Sequence, residues 1–210
     1  MDKFRKRYLK TVFLTGITLV LLFGTYMYSV MAQKSISEKV IRLHVIADSD
    51  SRRDQEIKLR VRDEILNSIG REISDAENRD EALKILEGKL SEIECASENV
   101  IKSEGLNYPV RAKLTKEIFP EKSYGVFCFP AGSYTALKVS IGKAEGKNWW
   151  CVMFPPLCLT EETLSDEGYE ILNKALSESD MEIIDRSENR KKPVSDIKFF
   201  IVEKWHELLG

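Results

Sequence analysis

The sequence predicts an α+β fold: an N-terminal membrane segment, then helices packed on a mainly antiparallel sheet of about four to five strands. Three features carry this expectation. Thr11 to Ala32 is an uncharged, largely apolar run. Residues 51–105 hold stretches whose apolar side chains recur at helical spacing. From Val110 to Phe154 the apolar period changes to two, broken by short turns. Helices followed by a block of strands suit an α+β layer.

The N-terminus comes first. Lys3, Arg5, Lys6, Arg7 and Lys10 precede an uncharged run close to the ~20 residues that cross a bilayer. Positive charge on that flank places the N-terminus in the cytoplasm and the rest outside. Residues 1–32 are therefore a signal peptide or a signal anchor. Val30-Met31-Ala32 presents residues that a signal peptidase reads, while the length of the run favours an uncleaved anchor. Both readings put residues 33–210 outside the membrane as one domain. Subtracting the five cations and Asp2 from 32 basic and 34 acidic residues leaves that body at −6. An acidic body has no electrostatic footprint for nucleic acid.

Val40 to Ala47 reads as a strand with Ile41, Leu43 and Val45 on one face and Arg42, His44 and Ile46 on the other. Asp48-Ser49-Asp50-Ser51 then supplies helix caps, and Ser51 with Asp54 approximates a capping box. Ile57, Val61, Ile65 and Ile69 stripe the helix that follows, with Gly70 as its expected C-cap. Leu83, Leu86, Leu90 and Ile93 stripe a second helical stretch starting near Asn78 or Asp80. The polar residues 94–98 leave open whether it is one helix or two. Gly105 ends it.

Three strands are expected next, at Val110–Leu114, Tyr124–Phe129 and Tyr134–Ile141, the last two joined through Pro130-Ala131-Gly132-Ser133. Gly142 to Gly146 turns the chain into Asn148-Trp149-Trp150-Cys151-Val152-Met153-Phe154, and these consecutive strands form an antiparallel meander. Trp150, Val152 and Phe154 share one face of the last strand, and Trp149, Cys151 and Met153 the other. Pro155-Pro156 ends it, since proline offers no N–H to a ladder. The strand is either a core strand with a stapled exit or a partner-binding edge. Beyond Cys158 the sequence reads as a helical extension over 159–210. It holds a short helix near Gly168–Leu176, a polar linker over 185–193, and an amphipathic helix from Val194 to Leu209 with a mostly apolar stripe of Ile197, Phe200, Ile201, Lys204, Trp205 and Leu208.

All four cysteines, Cys95, Cys128, Cys151 and Cys158, lie in the body, where export permits disulfides. Cys151–Cys158 is the preferred pair on loop length, with Cys95 and Cys128 either paired or free. Neither cysteine pairs nor histidines fall at metal-ligand spacing, so no metal or other cofactor is expected. His44 near the Asp48-Ser49-Asp50 turn invites a catalytic reading, but helix capping accounts for the serines and no strained nucleophile turn supports it. Gly142-x-x-x-Gly146 is a turn and not a phosphate loop. No catalytic residue and no small-molecule substrate are assigned. An envelope hydrolase, with two carboxylates and tryptophans stacked on sugar, is the alternative.

Two blocks of the chain resemble a known family. Val40-Ile41-Arg42-Leu43-His44-Val45-Ile46-Ala47-Asp48-Ser49-Asp50-Ser51, with Asp54-Gln55 and Lys58-Leu59-x-Val61-Arg62-Asp63, is similar to the opening signature of stage II sporulation protein R. Tyr124-Gly125, Phe129-Pro130-Ala131-Gly132-x-Tyr134-x-Ala136-Leu137 and Ile141-Gly142-x-x-x-Gly146-x-Asn148-Trp149-Trp150-Cys151-Val152-x-Phe154-Pro155-Pro156-Leu157-Cys158 resemble its second block. The resemblance covers residues 36–158. It implies a protein made in the forespore and exported into the space between the two septal membranes, either secreted or held by its N-terminal segment. There it would trigger a mother-cell membrane aspartic protease that removes the pro-sequence of sigma-E. The resemblance brings no contact residues with it. The residues themselves suggest Trp149, Trp150, Pro155 and Pro156 as the contact surface, with Asn148 fixing the turn. Arg42, His44 and Asp48 form the alternative surface.

Overall fold

The computed structural model describes residues 2–158 and 166–187. The amphipathic stretch Val194–Leu209 and most of the linker before it lie outside the described residues. A 36-residue helix, α1 (Asp2–Ser37), leads into β1 (Ile41–Ile46). Two long helices follow, α2 (Arg52–Asp75) and α3 (Arg79–Ser103), and then five strands. These are β2 (Val110–Phe119), β3 (Lys122–Tyr124), β4 (Phe127–Phe129), β5 (Gly132–Ile141) and β6 (Asn148–Phe154). Two short helices, α4 (Asp166–Ala175) and α5 (Glu178–Ile184), complete the described chain. The α+β class expected from the sequence is the one observed.

The meander is not. The main sheet runs β2-β5-β1-β6, so β5 and β6, consecutive in sequence, are separated by β1. β1 pairs in parallel with β5 and antiparallel with β6. Every residue of β1 is buried, as expected of a central strand covered on both faces. Other boundaries differ as well. Tyr124 to Phe129 is not one strand: Gly125, at φ 55°, turns the chain between β3 and β4, which pair as a separate two-stranded sheet. β2 extends five residues past Leu114 and pairs with the whole of β5. α2 runs through Gly70 to Asp75, and the second helical stretch is one helix.

Local caps follow the sequence. Ser51 Oγ accepts from the Asp54 N–H at 3.1 Å and Asn78 Oδ1 from the Glu81 N–H at 3.0 Å, so each helix start has an orphan donor satisfied. Between α2 and α3 and the sheet lies one core, where Ile41, Leu43 and Val45 meet Ile57, Val61, Ile65, Ile69, Leu86 and Ile93. A second core lies on the opposite face. There Phe119, Tyr134, Val152, Phe127 and Phe129 are covered by Leu172, Leu176 and Ile184 and by Ile36 from the end of α1. Trp149 and Trp150 point to opposite faces, toward the first and second core respectively. Phe154 departs from the expected alternation. An irregularity opposite Ile41 and Arg42 shifts the register, so both Met153 and Phe154 enter the first core.

At the end of the sheet far from α1, the loop after β1 is locked to the turn between β5 and β6. Asp48 Oδ1 accepts from the Lys143 N–H and Asp50 Oδ1 from the Lys147 N–H, both at 2.7 Å. The Gly146 N–H donates to Ala47 O at 3.0 Å, and Lys58 Nζ reaches Lys147 O at 3.0 Å. The approach is close enough that a Cβ on Gly146 would overlap the Ser49 carbonyl oxygen. Gly146→Ala is therefore expected to cost about 1–3 kcal/mol through overpacking. Asp48→Ala should cost less, about 0.5–1.5 kcal/mol, by removing a hydrogen bond to a solvent-exposed backbone donor. Thermal melts of the purified chain in detergent check both. Wild-type melting temperatures for the two variants would show that the loop and the turn are not mutually dependent.

Candidate functional site

The residues singled out from the sequence fall in three places. β6 carries Asn148 at the end far from α1 and delivers Pro155 and Pro156 at the end next to it. Seven strand residues at about 3.3 Å each separate the two ends by roughly 20 Å. Pro155 is buried and Pro156 half-buried against a groove of about 630 Å³, also lined by Glu38, Asn78, Arg79 and Ile171. Trp149, on the helix-covered face, lies half-buried under the Arg62 guanidinium, 4.2 Å from its ring centroid. Cation–π stacking on a tryptophan is the strongest of its kind and holds that ring against α2. Cys151 and Cys158 are joined by a disulfide with Cα atoms 5.2 Å apart. It closes the loop holding Pro155 and Pro156, and a ring this short removes about 2.5 kcal/mol of loop-closure freedom from the unfolded chain. Cys95 and Cys128 are free thiols.

The remaining residues meet on the opposite face. His44 Nδ1 donates to Glu117 Oε2 at 2.7 Å, and Nε2 meets the side-chain amide of Asn148 at 2.8 Å. Lys138 Nζ donates to the other Glu117 oxygen. The Trp150 ring lies 5.8 Å from the imidazole, tilted by 31°, and Phe119 packs edge-on at 6.0 Å. Asn148 is exposed, while Trp150, Glu117 and Lys138 are half-buried. Glu117 and Lys138 were not singled out from the sequence. Their period-two placement on β2 and β5 put them on one face of the sheet, but only the strand order brings them to His44.

Of the alternative contact surface, Arg42 is closed to a partner, whereas Asp48 is only half-buried. Arg42 is wholly enclosed at 0% exposure, donating from Nε to Cys151 O at 3.1 Å and from Nη2 to Tyr124 Oη at 3.0 Å. The rings of Phe119, Tyr124, Phe129 and Tyr134 surround the guanidinium at 4.6–5.8 Å. Burial pulls its pKa down, opposed by the neighbouring tyrosines, and the same burial pushes the Tyr134 phenol up. Asp48 is spent on the turn it locks.

The geometry also bears on chemistry. Both His44 ring nitrogens are occupied, and the turn serines are turned away toward α2. Ser49 and Ser51 both hydrogen-bond Asp54 Oδ2, Ser51 at 2.8 Å. The nucleophile–base contact that acyl transfer needs is not made by this trio. Among the described residues, no group of three or more His, Cys, Asp or Glu side chains is placed to hold a metal ion.

These features define a class: an α+β domain, joined to a helix long and apolar enough to cross a membrane, whose sequence signatures build its central strand and close its turns. The chain belongs to the stage II sporulation protein R family, whose pattern matches residues 37–164. It is 33% identical over 190 residues to the stage II sporulation protein R of Bacillus subtilis (strain 168), covering 82% of this chain and 85% of that relative. No solved structure matches it. The apolar helix is compatible with membrane anchoring or secretion.

Glu117 ties the polar cluster to stability. Burial alone would raise its pKa, but hydrogen bonds from Lys138 and His44 outweigh it and hold the carboxyl below its ordinary value of 4.5. A depressed carboxyl contributes stability above its unfolded pKa and loses it as pH falls through the folded one. Asp180, held down by Lys39 and Ser177, shifts in the same direction. Glu117→Gln should therefore lower the melting temperature near neutrality and flatten its decline below about pH 4.5. Melts from pH 3 to 7 test this, and an unchanged acid limb would show that the cluster carries no charge-dependent stability.

Proposed function

We propose that this chain is an exported sporulation signal that acts outside the cytoplasm. It activates the mother-cell membrane aspartic protease that removes the pro-sequence of sigma-E, coupling forespore and mother-cell transcription. Membership of the family is the observation that carries this reading. An apolar helix with a basic flank and a closed disulfide support an extracytoplasmic site of action in the space between the septal membranes. The signal works by binding and not by turnover. A partially exposed aromatic beside an exposed amide, Trp150 with Asn148, offers the mixed apolar and polar surface that partner contacts favour.

The test uses a non-sporulating bacterial host that makes pro-sigma-E and the membrane protease. Processing is compared with the intact chain, with the chain lacking residues 1–32, and without it. Pro-sequence removal only with the exportable form is expected. No processing by a chain shown to be exported and folded would overturn direct activation and reopen an envelope hydrolase. Within this assay Asn148→Ala and Trp150→Ala should lower processing roughly ten-fold at equal exported amounts, the effect of about 1.4 kcal/mol at an interface. Trp149→Ala should act through loss of its Arg62 contact, tracking the exported amount. A Trp150→Ala protein that is folded and fully active would place the contact elsewhere on the domain.

A further inference from the structure

The end of the apolar helix is a built part of the domain. Ser29, Ala32 and Ile36 are 1%, 7% and 0% exposed, and with Gln33 they recur at the spacing of one helix face. Gln33 Nε2 donates to Ser133 O at 3.0 Å, and the Gln33 side chain fills the space where a Cβ on Gly132 would sit. Ile36 enters the second core beside Phe119 and Tyr134. Just past the helix, Lys39 pairs with Asp180 at the start of α5. Met31 and Tyr28, on the other side of the same turns, are 66% and 56% exposed.

Ala32–Gln33 is thus an internal peptide bond of an unbroken helix, and cleavage there would require that turn to leave the domain and unfold. Ala32, the residue before the expected peptidase cut, has a packing explanation, because with Ser29 it lets the helix approach the body closely. The geometry also fixes direction. Uncharged residues continue to Ala32, so the apolar part of α1 meets the body with no spacer. β1 and β5 run away from that junction, while β2 and β6 return to it. Ile118, 65% exposed and opposite Ser133 on β2, lies at the junction, flanked in sequence by exposed Lys116 and Lys122 nearby. Among the described residues it is an exposed large apolar side chain outside α1. Lys143, two residues past β5, stands roughly 30 Å away along that strand.

We propose that α1 is retained as a docked anchor and holds the Gly132–Phe119 end of the sheet, with Ile118, on the lipid surface. This rests on α1 crossing the membrane. The full chain, C-terminally tagged and carrying Cys95→Ser and Cys128→Ala, is made with one added cysteine at Val20, Ile118 or Lys143. Each is labelled with a polarity-sensitive dye in vesicles of phosphatidylethanolamine and phosphatidylglycerol containing a lipid-borne quencher. Dyes at Val20 and Ile118 should be blue-shifted and quenched, and the dye at Lys143 neither. Mass spectrometry of the tagged chain recovered from cell membranes should show residues before Gln33 still attached. A Val20 dye in lipid with Ile118 as wet as Lys143 overturns the docking while leaving the anchor standing. A Val20 dye in water overturns the anchor itself, and a product beginning at Gln33 overturns retention.

Discussion

A guanidinium in the interior constrains the second half of this fold. Placing Arg42 at 0% exposure strips its hydration, and among the described residues no carboxylate pairs with it to compensate. Compensation comes from four aromatic faces, one carbonyl and one phenol, drawn from β2, β3, β4, β5 and β6. Each ring offers about 0.5–2 kcal/mol to a desolvated cation, so several are needed to offset the loss. That requirement explains why the small β3–β4 hairpin folds back over the sheet. It supplies Tyr124 and Phe129, and its outer surface then receives Tyr169 and α5. The second core is therefore assembled around a charge, whereas the first is a conventional contact between an apolar sheet face and two amphipathic helices.

The two sequence blocks that carry the family resemblance meet in space, through residue pairs almost a hundred positions apart. Asp48 and Asp50 from the first hold the backbone of Lys143 and Lys147 in the second, across a gap that admits only glycine at position 146. His44 from the first touches Asn148 from the second. Much of what looks like a signature is thus the joint between β1 and the turn before β6. A motif rich in Asp, Ser and His reads as chemistry in one dimension. In three its Asp and Ser side chains satisfy backbone donors.

Local features were legible from the residues. The two faces of β1, the caps at Ser51 and Asn78, the helix stripes and the divergence of Trp149 from Trp150 all follow from side-chain period and hydrogen-bonding chemistry. The strand order was not, because alternation states which face a residue takes and not which strand lies beside it. The meander failed for that reason: the preference for joining neighbouring strands competed with β1, whose fully apolar odd face and caged even face suit the middle of a sheet. Gly70 failed as a cap because tertiary packing of Ile69 and Ile73 outweighs one glycine's helix cost of about 1 kcal/mol. In the polar cluster, His44, Asn148 and Trp150 were residues singled out from the sequence, while Glu117 and Lys138 needed the register of three strands to be seen.

Only Glu38, Lys39 and Val40 separate α1 from the central strand. Tension applied along the helix therefore passes almost directly into β1, which is bonded on both sides. Its ladders to β5 and β6 would be loaded together in shear rather than opened one rung at a time. In that geometry the domain is mechanically stiff toward a pull from its helix. A load applied at the edge strand β2 would instead meet a single ladder.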